Sequence, residues 1–356
     1  MEVVKIKNLD VIVIGAGQAG LSMSYYLKQE NIRHIVVDAH DQVGDSWRKR
    51  YDSLVLFTPR SYSSLPQLDL EGNPVEYPSK DDVANYLSIY AEKFDLPIKM
   101  NTEVISIKEQ SNQKIVITSQ ATYHAKIVVV ATGPFQTPFV PKMAKNLDSN
   151  VYQVHSSKYK NPSELNRGTT LIVGAGNSGL QIATEIAKHK KVYVSEGRKR
   201  KVLPKKILNK SIFWWFEKLK ISDVSNDSKI GQLIRNNDPI IGKEHRKYVK
   251  SGQIIQKKRL DKIQGNNVIF ENKESLEIDN VIWCTGFCFD YSWINISGVV
   301  SNSGQPKHKR GISPVKGLYF LGLSWQHTRG SALLLGVSKD AKYLIDKIKK
   351  DLLAVI

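Results

Sequence analysis

Two six-residue stretches carry chemistry that their spacing makes legible. Gly15-Ala16-Gly17-Gln18-Ala19-Gly20 follows the β-branched run Val11–Ile14 and precedes a helical stretch from Leu21 to about Glu30. Gly174-Ala175-Gly176-Asn177-Ser178-Gly179 follows Thr170–Val173 and precedes a helical stretch from Leu180 to about Lys188. Glycines at this spacing permit a tight turn, a close approach of backbone to pyrophosphate, and close packing of helix on strand. The free amides and positive end of the helix then hold the phosphates. The pattern by itself is common; a strand before it and a helix after it mark a dinucleotide site.

The residues after the next strand differ between the two copies. Strand His34–Val37 ends at Asp38, 23 residues after Gly15, where a carboxylate accepts hydrogen bonds from ribose hydroxyls. After strand Val192–Ser195 the same count reaches Gly197, followed by Arg198, Lys199, Arg200 and Lys201. Cations without a carboxylate suit a 2′-phosphate, hence NADPH. Glu196, one position earlier, would favour NADH if it faced the ribose, and a solvated basic loop is the plain structural alternative. Two dinucleotide sites in one chain imply one held and one exchanging cofactor, and FAD with NAD(P)H is the common chemical pairing.

The elements around these turns repeat. Strands Val104–Lys108, Lys114–Thr118, Tyr123–Ala125 and Ile127–Val130 lead into Ala131-Thr132-Gly133, and a similar set from Arg259 leads into Cys284-Thr285-Gly286. Gly15 to Thr132 spans 117 positions and Gly174 to Thr285 spans 111. The expected fold is α/β, with two three-layer Rossmann-like dinucleotide-binding domains on parallel sheets, each with a small β insertion. The FAD domain is expected at 1–160 and 291–356, with the NADPH domain inserted at 161–290.

Composition narrows the class. The chain has 356 residues and a formal net charge of +18, and its 41% hydrophobic content excludes intrinsic disorder as the main state. Two cysteines exclude a disulfide scaffold. No apolar run approaches the roughly 20 residues of a membrane span, and Met1 to Asp10 lacks a signal-peptide core, so a cytoplasmic protein is expected. The positive charge favours polyanionic ligands or surfaces without naming one.

With Gly44-Asp45-Ser46-Trp47, Leu56-Phe57-Thr58-Pro59, Phe213-Trp214-Trp215, Trp283–Phe287 and Leu318–Gly322 added to the glycine turns, nearly the whole chain resembles the class B flavoprotein monooxygenases. These include the flavin-containing and Baeyer–Villiger monooxygenases; the short bacterial cation-efflux-associated flavoprotein oxidoreductases are the nearest in pattern. Their FxGxxxHxxx(F/W) linker fingerprint is half present: His155 stands in its place with Tyr159 after it, but Ser149 and Val151 replace Phe and Gly. The resemblance implies that Gly15, Gly17, Gln18, Ala19 and Gly20 bind the FAD pyrophosphate and Asp38 its ribose. It puts Gly44, Ser46 and Trp47 along the flavin side, Val104 at the adenine, and Ala131, Thr132, Gly133, Thr285 and Gly286 in the crevice. Gly174, Gly176, Asn177, Ser178 and Gly179 would bind the nicotinamide pyrophosphate, with Arg198, Lys199 and Arg200 beyond it, and Gly322 would precede a segment closing over the flavin. The implied reaction reduces FAD with NADPH and forms a C4a-(hydro)peroxyflavin with O2, which oxygenates a small soft nucleophile or carbonyl compound. A flavin reductase or oxidase passing electrons to O2, a quinone or a protein partner is the alternative.

Other residues carry less. His155 is a weak candidate for orienting nicotinamide or linker, with a satisfied structural histidine as its rival. Cys284 and Cys288 have CxxxC spacing, unlike the CxxC redox pair, and read as buried fillers. No histidine spacing suggests a metal. Ser331 reads as the N-cap of a helix from Ala332 to Ile348 aimed at the flavin. Ile212, Trp215, Phe216 and Leu219 fit one helical face within the basic stretch 199–221. That stretch suits an anionic membrane surface, a tunnel cap or core packing. A nucleic-acid-binding role, motivated by charge alone, has no recognisable module and is not expected.

Overall fold

The computed structural model describes residues 6–111 and 113–353. The stretch Met1 to Asp10 read for a leader lies partly outside the described residues, as do the ends of the segments 1–160 and 291–356.

The chain opens with β1 (Ile6–Ile14), α1 (Gln18–Gln29) and β2 (His34–Val37). Next come α2 (Asp45–Arg48), α3 (Lys80–Lys93), β3 (Ile98–Lys99), β4 (Val104–Gln110), β5 (Gln113–Thr118) and β6 (Thr122–Val130). Val11 and Val13 of β1 point into a core shared with α1 and α3, while Ile12 and Ile14 point into a second core on the opposite face. A strand buried on both faces needs this unbroken β-branched run rather than alternation.

The second half of the plan begins with β7 (Thr137–Pro138), β8 (Tyr152–His155), β9 (Thr170–Val173), α4 (Asn177–Ile186) and β10 (Val192–Ser195). An excursion follows: β11 (Val202–Leu203), the hairpin β12 (Lys206–Ile207) and β13 (Lys210–Ser211), α5 (Ile212–Lys218), α6 (Lys229–Asn236), β14 (Ile240–Ile241) and α7 (His245–Lys250). The chain then forms β15 (Ile254–Lys257), β16 (Leu260–Gln264), β17 (Asn267–Phe270), β18 (Ser275–Glu277), β19 (Asn280–Trp283) and β20 (Phe287–Cys288). It closes with β21 (Leu318–Phe320) and α8 (Leu334–Leu353).

The fold is α/β, with one mixed and one parallel large sheet. The seven-stranded sheet runs β3-β2-β1-β6-β5-β4, with β21 also on β6. It is parallel through β3, β2, β1, β6 and β21 but antiparallel through β4, β5 and β6. The expected parallel sheet is corrected here. Tyr123–Ala125 and Ile127–Val130 form one strand, so the insertion is continuous with the sheet. The five-stranded sheet, β15-β10-β9-β19-β8, is parallel throughout, and β16-β17-β18 form a separate antiparallel sheet. α8 packs with α1 in one core, so the last segment of the chain completes the first sheet.

Both glycine-turn helices start earlier than their apolar periodicity suggests, at Gln18 and Asn177. The second glycine of each turn is the N-cap, which leaves the third inside the first helical turn. A Cβ on Gly20 would sit 1.7 Å from the Gly15 carbonyl oxygen.

Candidate functional site

The two turns are built alike at the level of single atoms. The Gly15 amide donates to the Val37 carbonyl at 2.8 Å, and the Gly174 amide to that of Ser195 at 3.0 Å. Gly15 has φ +107° and a Cβ there would meet the Ala131 oxygen at 2.6 Å; Gly174 has φ +109° and would meet the Cys284 oxygen at 2.4 Å. Each first glycine therefore crosses the strand end that leads into a Thr-Gly turn. At Gly17 and Gly176 an added Cβ would meet nothing within 4 Å. That open side is the space a pyrophosphate requires, so the residues present fit two dinucleotides.

Asp38 closes the first turn. Its Oδ2 accepts from the Ala16 amide at 2.6 Å, and its Oδ1 from the His40 amide at 2.8 Å and His40 Nδ1 at 2.7 Å. Burial pushes the Asp38 carboxyl up, but the hydrogen bonds from His40 and Ala16 outweigh it and hold the group below the usual carboxylate range. Asp38 in turn raises His40. The Thr102 amide donates to the Asp38 carbonyl at 2.8 Å, which brings the start of β4, and with it half-buried Val104, to this end of the sheet. His40 escaped the sequence reading; its signal is an acid two positions before a histidine at a strand end.

At the corresponding end of β10, Glu196 is half-buried and Arg198, Lys199 and Arg200 are exposed. A Cβ on Gly197 would lie 3.1 Å from Arg259 Nε, so a fourth cation joins the group from some 60 residues further along.

Between the turns lies a cross-connection. β7 and β20 pair antiparallel, Thr137 opposite Cys288 and Pro138 opposite Phe287. Thr285 Oγ1 donates to the Phe139 carbonyl, and the Phe139 amide donates to the Gly286 carbonyl at 2.9 Å. That carbonyl also accepts from His155 Nε2 at 3.0 Å, while His155 Nδ1 accepts from the Ser157 amide at 3.2 Å. Burial, opposed by the Gly286 bond and aided by Arg50, lowers the His155 pKa. The Arg50 guanidinium lies 5.0 Å from the Phe135 ring centre and 5.6 Å from that of Phe287. Arg50 and the two phenylalanines were absent from the sequence-derived set, since an isolated Arg and two aromatics carry no spacing signal. Thr132 is exposed and Gly133 half-buried at the mouth of the same crevice.

On the first side, Trp47 Nε1 donates to Gln18 Oε1 at 3.3 Å, and Gln18 Nε2 to the Ala332 carbonyl at 3.1 Å. Gly322 lies against Ala19, where a Cβ would come within 2.7 Å of the Ala19 methyl. Ser46 is exposed and Ser178 half-buried, whereas Gly44 packs its backbone on Ala84. On the second side, Asn177 Oδ1 accepts from the Ile241 amide at 3.3 Å, which ties the turn to the excursion.

Three expectations are corrected. Ser331 is not a helix N-cap: its Oγ accepts from the amides of His327 and Thr328, both at 3.0 Å, and α8 begins only at Leu334. Cys288 is exposed, because the short β20 places it on the ribbon rather than in a core. Cys284 is half-buried against the second turn, and burial of its thiol pushes the pKa up to about 12. α5 buries Ile212 and Phe213 against Phe57, Tyr62 and Leu335. The expected stripe fails because the helix ends at Lys218, and Leu219 is 64% exposed. Among the described residues no His, Cys, Asp and Glu cluster could hold a metal, and no helix is long and apolar enough to cross a membrane.

Residues 12–218 match the family model of pyridine nucleotide-disulphide oxidoreductases, and residues 196–316 that of flavin-binding monooxygenase-like proteins. A CzcO-like oxidoreductase of Geobacillus kaustophilus is 53% identical over 341 residues, covering 96% of this chain and 98% of that one. The chain belongs to the CzcO-type FAD-dependent oxidoreductases. The CzcO oxidoreductase of Bacillus subtilis is 48% identical over 340 residues, covering 95% of this chain and 99% of its own. The flavin-containing monooxygenase of Stenotrophomonas maltophilia shares the fold of this CzcO-type chain, with a TM-score of 0.83 at 23% identity over 97% of this chain and 99% of that one. Enzymatic activity of this oxidoreductase class follows from the membership.

Proposed function

We propose that the protein is an NADPH-consuming, FAD-dependent monooxygenase that oxygenates a small soft nucleophile, such as an amine or sulfide, or a carbonyl compound. The observation that carries the reading is the atom-level repetition of the two turns, Gly15 against Ala131 and Gly174 against Cys284. On this reading 1–160 and 291–356 form the FAD domain and 161–290 the NADPH domain.

FAD, when bound, supplies the two-electron chemistry that takes hydride from nicotinamide and engages O2. The chain's own residues bind and orient. The amides opening α1, with Gly17 open before them, receive the FAD pyrophosphate, and Asp38 accepts from its ribose. Gln18 fixes Trp47 and the Ala332 carbonyl on the flavin side. Gly176, Asn177 and Ser178 receive the second pyrophosphate, and Arg198, Lys199 and Arg200, with Arg259, the 2′-phosphate. His155, a positioning residue, holds the Gly286 turn. Arg50 offers a cation to the anionic groups in the crevice.

A second reading, an NAD(P)H-dependent flavin oxidoreductase passing electrons onward without oxygenation, has its own support in Ser149 and Val151, which depart from the monooxygenase linker fingerprint. Stopped-flow mixing of the NADPH-reduced holoprotein with O2 separates the two. A transient absorbing species that decays over seconds supports oxygenation, and prompt release of one hydrogen peroxide per NADPH overturns it.

A further inference from the structure

The basic excursion after β10 contains a feature that cofactor binding does not use. The hairpin β12–β13 turns on Leu208 and Asn209, with φ of +47° and +58°. A two-residue turn of this kind favours Asn and Gly, and a leucine there is sterically costly. Leu208 is nevertheless 81% exposed, so the fold gains no burial in return. Strain without folding benefit points to use by something outside the chain.

The hairpin is tied to the helix that follows it. Trp215 Nε1 donates to the Ile207 carbonyl at 3.1 Å, locking hairpin to α5. Lys210 Nζ lies 5.8 Å and Lys218 Nζ 5.7 Å from the Trp214 ring centre. Leu219 follows at 64% exposure, and Lys220 takes φ +56° at the turn beyond. The opposite side of α5, Ile212 and Phe213, is buried in the body of the protein, so the exposed apolar tips are not a disturbed packing face. From Lys206 to Lys220 four lysines, Lys206, Lys210, Lys218 and Lys220, stand against the single acid Glu217, whose carboxylate accepts from the Tyr62 hydroxyl.

We infer that this hairpin and α5 form a docking surface for an anionic lipid bilayer, with Leu208 and Leu219 entering the interface and the lysines meeting the headgroups. Exposed leucines flanked by tryptophans at the interface and by cations is the composition that peripheral membrane attachment requires. A second copy of this chain would bring the same positive patch against itself, since a two-fold contact pairs like surfaces. A nucleic acid would neutralise the lysines but give Leu208 no apolar phase.

Flotation of the FAD-loaded full-length protein with vesicles tests the inference. Binding is expected to vesicles of phosphatidylcholine mixed with phosphatidylglycerol and not to phosphatidylcholine alone, and to weaken with salt. Leu208→Asp with Leu219→Asp, and separately Lys206→Glu with Lys210→Glu, should each lower the bound fraction by about tenfold or more. Thermal melting should not fall, since Asp tolerates the left-handed backbone at 208 better than Leu, and NADPH oxidation in solution should be unchanged, because these side chains are exposed and lie outside the cofactor sites. No binding to the phosphatidylglycerol vesicles overturns the inference. So does binding that the double leucine variant leaves intact, or a dimer in sedimentation velocity that this variant splits while vesicles stay unbound.

Discussion

His155 Nε2 donates to the Gly286 carbonyl oxygen at 3.0 Å, so a side chain at the end of β8 holds the turn after β19. The Ser157 amide on Nδ1 fixes the neutral tautomer that carries its proton on Nε2. His155→Ala should keep FAD but lower kcat by about tenfold, and His155→Asn, which retains a donor, should recover part of the loss. The folded pKa is depressed below 6.5, so the stabilisation is present above that value and is lost as pH falls through the folded pKa. Melting curves against pH should show this acid-side loss in the wild type and not in His155→Ala.

Gly15→Ala and Gly174→Ala should separate the two sites. Each forces a side chain into left-handed backbone, at about 1–2 kcal/mol, and onto a carbonyl oxygen. Gly15→Ala is expected to purify with little flavin absorbance. Gly174→Ala should stay yellow while its KM for NADPH rises by about tenfold or more.

Asp38 and His40 make a pH-dependent clamp on the first turn. His40 is raised above 6.5, so its contribution is complete below that pH and is lost as pH rises through the folded value. Asp38 is lowered from 3.8, so its contribution is present above that value and is lost as pH falls through the folded one. With the His40 side chain 40% exposed, solvent screening limits the pair to about 1 kcal/mol or less. Raising pH from about 6 to about 8 should therefore narrow the melting-temperature gap between wild type and His40→Gln.

The basic run should set coenzyme choice. Replacing Arg198, Lys199 and Arg200 with alanine is expected to lower kcat/KM for NADPH by roughly tenfold to a hundredfold and leave that for NADH nearly unchanged. Equal losses with both coenzymes would remove the 2′-phosphate role.

Cysteine labelling tests the absence of thiol redox chemistry. Cys288 is exposed, whereas burial holds the Cys284 thiol protonated. An alkylating reagent should modify Cys288 alone in the folded protein, and Cys288→Ser should oxidise NADPH at the wild-type rate.

The sequence by itself determined the local, short-range parts of this protein. Gly15–Gly20 and Gly174–Gly179 announce themselves because each turn is made of neighbouring residues, and Asp38 because one helix and one strand of ordinary length separate it from its turn. His34–Val37, Thr170–Val173 and Val192–Ser195 are strands at the boundaries their β-branched runs indicate. Tertiary structure decided whatever depends on residues far apart in the chain. It brings Arg50 to the edge-to-face pair Phe135 and Phe287, brings Arg259 to Gly197, and turns Ser331 from a helix cap into the acceptor of the preceding turn. It also ends α5 early and leaves Leu208 and Leu219 exposed. Periodicity records which face a helix would bury; only the packed neighbours, Phe57 and Leu335 among them, decide which face they cover.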